Sequence, residues 1–503
     1  MRASILTAIV AFTLALAACG SAGAQSTTDP SVVQTDAGAV QGTVTDDTRI
    51  FQGIPFAKPP TGDDRWQPPA AVEPWDGERD ATAPSPACAQ PQDQPIAIEN
   101  YDEDCLYLNV ATPADTTDER LPVIVVIHGG SFTYSDGASH DAQRMASEGN
   151  AIVVTPNYRL GAFGFLAHPD MDDTNLGLAD QQAALEWVQQ NAAAFGGDTD
   201  NVTAMGQSGG GYSVCSQLAM PEADDLIDKA ILQSTDCLSP SGSHTLEDAE
   251  SAGHQLTETL DCDDLDCLRD KDTDDILTSA EAGHEAFRPV HGADDLPKAP
   301  KEALSGGAFN HVPLMIGSVS DEAVGPIAGE EIATSDALTA DEYEQHITEL
   351  FDDHAAEVLD EYPVDSYDTP SNALSAVNTD SMWSTPIHHM RETLAEYVPV
   401  HAYEVNEEDS PWFVGAGEPS FTLGTDHMAD LEYLLDMEIF EERSDSQEHL
   451  AEEMVRFWTD FAHTGQPGND WQEFDADGYV QGLSTDHIGP IDFVADRNVT
   501  FWS

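Results

Sequence analysis

Apolar positions along the chain fall into two patterns: short unbroken runs, and stretches where they recur three or four residues apart. Leu121–Ile127 (LPVIVVI) is the clearest run. A strand that is apolar at every position is buried on both faces. Ala151–Thr155 (AIVVT) is a second such run, and Val202–Met205 reads as a third, shorter one. Lys229–Ser234 and Val312–Ile316 are further strand candidates. Helical spacing occupies Asp180–Asn191, and Tyr212–Met220 reads as the start of another helix. Strands alternating with helices predict an α/β fold, a large, mostly parallel central sheet flanked by helices on both faces. No internal repeat and no proline-rich linker divides residues 31–503, which read as one domain.

The N-terminal apolar stretch is of another kind. Ile5–Ala18 follows the positive Met1-Arg2 and is too short to span a bilayer stably. It ends in Leu16-Ala17-Ala18-Cys19, which resembles a prokaryotic lipobox. Residues 1–18 are therefore expected to be a lipoprotein-type signal peptide, Cys19 the lipidated mature N-terminus, and 19–30 a flexible linker. Cleavage after Ala22-Gly23-Ala24 is the alternative, and either route exports the chain. Any membrane contact is then expected through Cys19 alone.

Charge narrows the partners. Asp and Glu total 93 against 18 Lys and Arg, a formal net charge of −75 in 503 residues. Such a chain is not expected to bind nucleic acid or an anionic membrane electrostatically. Its self-repulsion is relieved as the Debye length shrinks from about 10 Å at 0.1 M salt to about 3 Å at 1 M. Adaptation to salt is the expectation; an acidic secreted enzyme from a moderate habitat is the alternative. The composition leaves the oligomeric state open.

Seven cysteines stand at 19, 88, 105, 215, 237, 262 and 267. With Cys19 lipidated, six remain, and fifteen pairings are possible for six cysteines. Pairing each with its neighbour gives Cys88–Cys105, Cys215–Cys237 and Cys262–Cys267. No C-x-x-C or paired Cys/His spacing points to a metal. The acidic stretch Asp261–Asp275 lacks the sixth-position glycine of a calcium-binding EF-hand loop.

The chemistry is concentrated in Gly206-Gln207-Ser208-Gly209-Gly210, a G-x-S-x-G string between a strand and a helix. Such a turn holds its serine in a strained conformation with the hydroxyl exposed, and its glycines let strand and helix close up. The helix N-terminus beneath it offers N–H groups to a developing oxyanion.

Further motifs stand in a fixed order: Phe51–Pro60 (FQGIPFAKPP), Glu103–Asn109 (EDCLYLN), His128–Phe132 (HGGSF), Asn157–Gly161 (NYRLG), Phe195–Asp198 (FGGD), the serine turn, and Phe457–Pro467 (FWTDFAHTGQP). In these the chain resembles the type-B carboxylesterase/cholinesterase family of α/β-hydrolases from about residue 31 to the C-terminus. The resemblance implies the α/β-hydrolase fold and hydrolysis of a small-molecule ester, with no metal or cofactor. It supports the three neighbour pairings of cysteines. It also implies ion pairs between Arg65 and Glu103 and between Arg159 and Asp180.

Residue by residue, the resemblance makes Ser208 the nucleophile. The acid motif G-x-x-x-D-E falls on Gly317–Glu322 and selects Glu322 over its neighbour Asp321. The base motif falls on Gly424–Tyr433 and selects His427, with Asp430 where the family has Glu. The backbone N–H groups of Gly130, Ser131 and Gly209 would form the oxyanion hole, and His128 would be structural. Ser131 stands where the family has a third glycine, so either a Cβ projects into the substrate's path or the backbone torsion differs. Gly209 stands in place of Ala and is expected to loosen the turn. Gln207 stands in place of Glu, which removes an anion from the pocket, and the 88–105 loop lacks the cholinesterase Trp. Both departures argue against choline esters. Phe132 and Tyr134 are expected to line the acyl side of the pocket. Hydrolysis of amides, carbamates or thioesters at the same site is the enzymatic alternative. A non-catalytic surface-binding protein of the same fold is the other.

Overall fold

The computed structural model describes residues 29–92, 98–115, 120–281, 286–475 and 477–503. Cys19 and the Ala22–Ala24 alternative lie outside them. One sheet of eleven strands organises these residues. In chain order the strands are β1 (Thr43–Val44), β2 (Thr48–Pro55), β3 (Tyr107–Pro113), β4 (Leu121–Ile127), β5 (Ile152–Pro156) and β6 (Gly197–Gln207), followed by β7 (Lys229–Gln233), β8 (Leu314–Val319), β9 (Val400–Val405), β10 (Val480–Leu483) and β11 (Ile488–Ile491). They lie side by side as β11-β10-β9-β8-β7-β6-β4-β5-β3-β2-β1. From β5 to β10 every pair is parallel. The outer pairs β1–β2, β2–β3, β3–β5 and β10–β11 are antiparallel. The sheet is thus mixed, with the parallel strands at its centre.

Burial explains that division. Val123, Val125 and Ile127 of β4 enter one core cluster, while Ile124 and Val126 enter the cluster on the opposite face. β5 divides likewise, with Ile152 and Val154 against Val153, and so does β7, with Ala230 and Leu232 against Ile231. Helix Leu176–Phe195 covers the first face through Leu185, Val188 and Ala192, and helix Asp445–Thr464 covers the second through Met454, Trp458 and Phe461. Burying each of the larger of these side chains contributes roughly 1.5–3 kcal/mol. β2 (TRIFQGIP) mixes polar and apolar residues and includes half-buried positions, as a strand outside the parallel centre can.

Several of the scarce cations sit at structural junctions. Arg159 meets Asp180 in a two-pronged pair, Nε to Oδ2 and Nη2 to Oδ1, both at 2.8 Å, and neither side chain is more than 5% exposed. Its remaining nitrogen donates to the Gln67 carbonyl at 2.8 Å. Arg65 grips Glu103 through Nε at 2.7 Å and also through Nη2, while its Nη1 donates to the carbonyls of Arg269 and Lys271 at 3.0 and 2.7 Å. These are the two ion pairs that the resemblance implied. Arg144 and Arg443 together bind Glu432, Asp436 and Glu448.

Three disulfides join Cys88 to Cys105, Cys215 to Cys237 and Cys262 to Cys267. Such bonds are a mark of an oxidising compartment. Among the described residues no helix is long and apolar enough to cross a membrane.

The buried pair gives a direct test of the framework. Arg159→Ala strands the Asp180 carboxylate in the core, and breaking such a pair costs about 3–5 kcal/mol. The urea midpoint of Arg159→Ala is expected to fall accordingly, and Arg159→Met/Asp180→Leu to recover much of the loss.

Candidate active site

β6 runs along the middle of the sheet and ends at Gln207, and helix Gly209–Ala219 begins two residues later. Ser208 alone makes the turn, at φ +54° and ψ −122°. Holding a non-glycine residue there costs on the order of 1–3 kcal/mol. Surrounding bonds maintain it: the Ser208 N–H donates to the Gln233 carbonyl at 3.0 Å, and the Thr235 hydroxyl donates to the Ser208 carbonyl at 2.8 Å. The glycines are required by contact. A Cβ on Gly206 would lie 2.3 Å from Gly210, and one on Gly210 would lie 2.0 Å from the Ile127 carbonyl oxygen.

The loop after β4 approaches the turn from the side. Gly130, Ser131 and Phe132 all have positive φ, at +92°, +53° and +63°. The departure at Ser131 is therefore absorbed as left-handed backbone, not as a relaxed torsion. Turn bonds from Thr133 and Tyr134 to the Gly130 carbonyl, at 2.8 and 3.2 Å, hold this shape. Among the described residues no acceptor meets the N–H groups of Gly130, Ser131 or Gly209. A Cβ on Gly209 would sit 2.9 Å from the Ser131 nitrogen. Glycine at 209 therefore leaves room for the Ser131 backbone beside the turn.

His427 and Glu322 arrive from loops after β9 and β8. His427 Nδ1 and Glu322 Oε2 are 2.5 Å apart, and the Glu322 side chain is fully buried. Its other oxygen accepts from the Val319 N–H at 3.1 Å. Asp321 does not share this contact. Its carboxylate accepts from the Thr425 N–H at 3.1 Å, and its own N–H donates to the Thr425 carbonyl, so it splices the acid loop to the histidine loop. Burial alone would lower the His427 pKa, but the charge and hydrogen bond of Glu322, backed by Asp426 and Asp430, raise it above the ordinary imidazole value.

Asp430 is itself buried, and its Oδ2 accepts from Gln233 Nε2 at 2.6 Å and from the Tyr403 hydroxyl at 2.9 Å. Burial pushes its carboxyl up to about 6, against those hydrogen bonds. His128 is structural in its contacts: Nδ1 meets the Gly129 carbonyl at 3.0 Å and the ring stacks on Tyr158. Burial pushes its pKa down to about 4, leaving it neutral.

A cavity of about 250 Å³ opens between these pieces, lined by Gly129, Gly130 and Ser131, by Gln207 and Ser208, and by His427. Tyr134, His140, Trp383 and Met428 complete much of its wall. No hydrogen bond within 3.5 Å joins the Ser208 hydroxyl to His427, and such bonds are commonly long before substrate binds. Phe132, expected on the acyl side, does not line the cavity. It is 3% exposed and packs edge-on against Phe165 in the core, because the left-handed loop turns its side chain inward.

Trp383, like His140, is a wall residue that sequence reasoning missed. It lies on a π-helical turn, Asp380–Ser384, with its ring centroid 4.6 Å from that of His427. Turns of this kind are frequent at functional sites, but they leave no periodicity to read. Gln207, expected as a pocket residue, does face the cavity. It also donates from Nε2 to the His427 carbonyl at 2.7 Å, a bond that its neighbours in sequence do not announce.

The arrangement has clear counterparts. The para-nitrobenzyl esterase of Bacillus subtilis is 34% identical over 464 residues, covering 87% of this chain and 91% of that protein. Carboxylesterase 1D of Rattus norvegicus is 31% identical, covering 97% and 95%. A solved thermophilic PNB esterase superposes with a TM-score of 0.77 at 30% identity, over 94% of this chain and all of that one. The carboxylesterase family profile matches residues 29–502. The chain belongs to the carboxylesterase family.

Proposed function

We propose that this protein is an exported serine carboxylesterase that hydrolyses small-molecule esters through an acyl-enzyme, within one α/β-hydrolase domain spanning residues 31–503. The observation that carries the reading is that His427, paired with Glu322, lines one cavity together with Ser208 and the Gly129–Ser131 loop. Because His427 Nδ1 is engaged by Glu322, Nε2 is the nitrogen free to accept a proton. It takes the proton of the Ser208 hydroxyl as Oγ attacks the ester carbonyl, then returns it to the departing alcohol. Water repeats the cycle on the acyl-enzyme and releases the acid. Glu322 fixes the tautomer and stabilises the transient imidazolium.

The N–H groups of Gly130, Ser131 and Gly209 are suited to the oxyanion, since they have no competing acceptor among the described residues. Each such donor is worth about 10²–10³ in rate. With Gln207 neutral, the cavity wall offers no carboxylate to a cationic alcohol group, which favours uncharged esters. Lipidation at Cys19 is the proposed anchor, and the disulfides fit export.

The p-nitrophenyl ester series from acetate to decanoate, assayed in high salt, is expected to be hydrolysed by the wild type and not by Ser208→Ala. A folded wild type inert toward every ester contradicts the reading. The acid limb of kcat/KM is expected above the ordinary histidine value of about 6.5, because only neutral His427 can accept a proton and its pKa is raised. Glu322→Gln should move that limb downward and reduce kcat by on the order of 10³ or more. Salt adaptation predicts a melting temperature that climbs between about 0.05 M and 2 M NaCl, where screening differs most. An unchanged value would leave the acidic composition without that role.

A further inference from the structure

The strand that delivers Ser208 also delivers the residue before it, and that side chain points toward the histidine loop. Gln207 is 4% exposed, and its Nε2 donates to the His427 backbone carbonyl at 2.7 Å. The orientation of the amide follows from chemistry: a carbonyl oxygen can only accept, so the NH₂ end must face it. The amide oxygen then falls on the Gly129 side, where a Cβ on Gly129 would lie 3.1 Å away. A carboxylate of the same size could not make this contact, because it would set oxygen against oxygen unless protonated.

We propose that Gln207 is a positioning residue for the ester hydrolysis argued above, tying the His427 backbone to the strand that ends at Ser208. The inference rests on that functional reading for its kinetic consequences, but not for its structural ones. Most of the other ties of the histidine loop lead elsewhere. The two Asp321–Thr425 bonds join it to the acid loop. Asp426 closes it locally on Met428, at 3.2 Å. Gln233 holds Asp430 from the adjacent strand β7, in register with Gln207. The acid-side bonds set His427 against Glu322, whereas the Gln207 bond sets it against Ser208. Removing it should loosen the serine–histidine geometry and leave the histidine–glutamate pair intact.

Neutrality gives Gln207 a second effect. The carboxylates acting on His427 are those of Glu322, Asp426 and Asp430. The cavity wall around it adds the neutral groups of Tyr134, His140, Trp383, Ser208 and Gln207. A carboxylate at position 207 would add a fourth negative charge and hold the imidazolium more tightly, against its use as a base.

Two variants separate these effects. Gln207→Met keeps the length of the side chain and removes the donor. It is expected to lower kcat about 10- to 100-fold, as a misplaced base does, with KM within about twofold and the acid limb of kcat/KM unmoved. Gln207→Glu is expected to lose a similar factor and to move the acid limb upward by about one pH unit. Amide hydrogen exchange gives a readout independent of turnover: Gln207→Met should exchange faster over 424–430 and not over 317–322. Unchanged exchange over 424–430, or kcat of both variants within about twofold of wild type, overturns the proposal. A wild type that hydrolyses no ester defeats the functional reading instead, and the exchange result still decides whether Gln207 holds the loop.

Discussion

Ser208 sits in a backbone conformation that its own side chain disfavours, and the surrounding structure is arranged to keep it there. The sheet supplies the rigid base: β6 lies between β4 and β7 in the parallel block, and both neighbours reach the turn. From β7 and the residues after it, the Gln233 carbonyl and the Thr235 hydroxyl hold the two ends of the Ser208 peptide. On the β4 side, Gly210 packs on the Ile127 carbonyl so closely that no side chain fits. A cost of about 1–3 kcal/mol at one residue is small against a core with apolar side chains on both faces of the sheet. The strain persists because relaxing it would unpack both.

The same economy governs charge. Eighteen Lys and Arg face 93 Asp and Glu, so a buried cation is scarce and a carboxylate is everywhere. Arg65 and Arg159 each satisfy several acceptors in distant segments, which ties parts of the chain far apart in sequence to one another. At His427 the excess of carboxylates acts differently. Glu322 orients the ring, and Asp426 and Asp430 add to the field that favours its cation. Glutamine at 207 keeps the residue beside the nucleophile out of that field.

Much of this was legible in the sequence where burial or a rigid motif leaves a local signature. β4 coincides with its apolar run and β5 lies within a residue of its own, because two-faced burial favours unbroken apolar residues, while β7 lies within a residue of the Lys229–Ser234 candidate. The helix expected over Asp180–Asn191 extends to Leu176–Phe195. The antiparallel outer strands β2 and β3 were visible only as motif text, since polar residues such as Arg49, Gln52 and Asn109 interrupt their apolar pattern. Within the site, the motif register separated Glu322 from Asp321, and the two prove to have different partners. The direction of a side chain in left-handed backbone was not legible, and Phe132 turns into the core; nor was a wall residue brought in on a π-turn some 250 residues further along the chain, as Trp383 is. Long-range bonds such as Gln207 to His427 depend on where two loops meet, which no local pattern encodes.

The central claim is that the strained serine at position 208 is the nucleophile, activated by His427. Its most direct test is covalent trapping with a fluorophosphonate, followed by peptide mass spectrometry, on the wild type and on His427→Ala. A single adduct on the peptide carrying Ser208, formed quickly in the wild type and barely at all in the variant, is the expected result. An adduct on another serine, or equal labelling of Ser208 without His427, would contradict it.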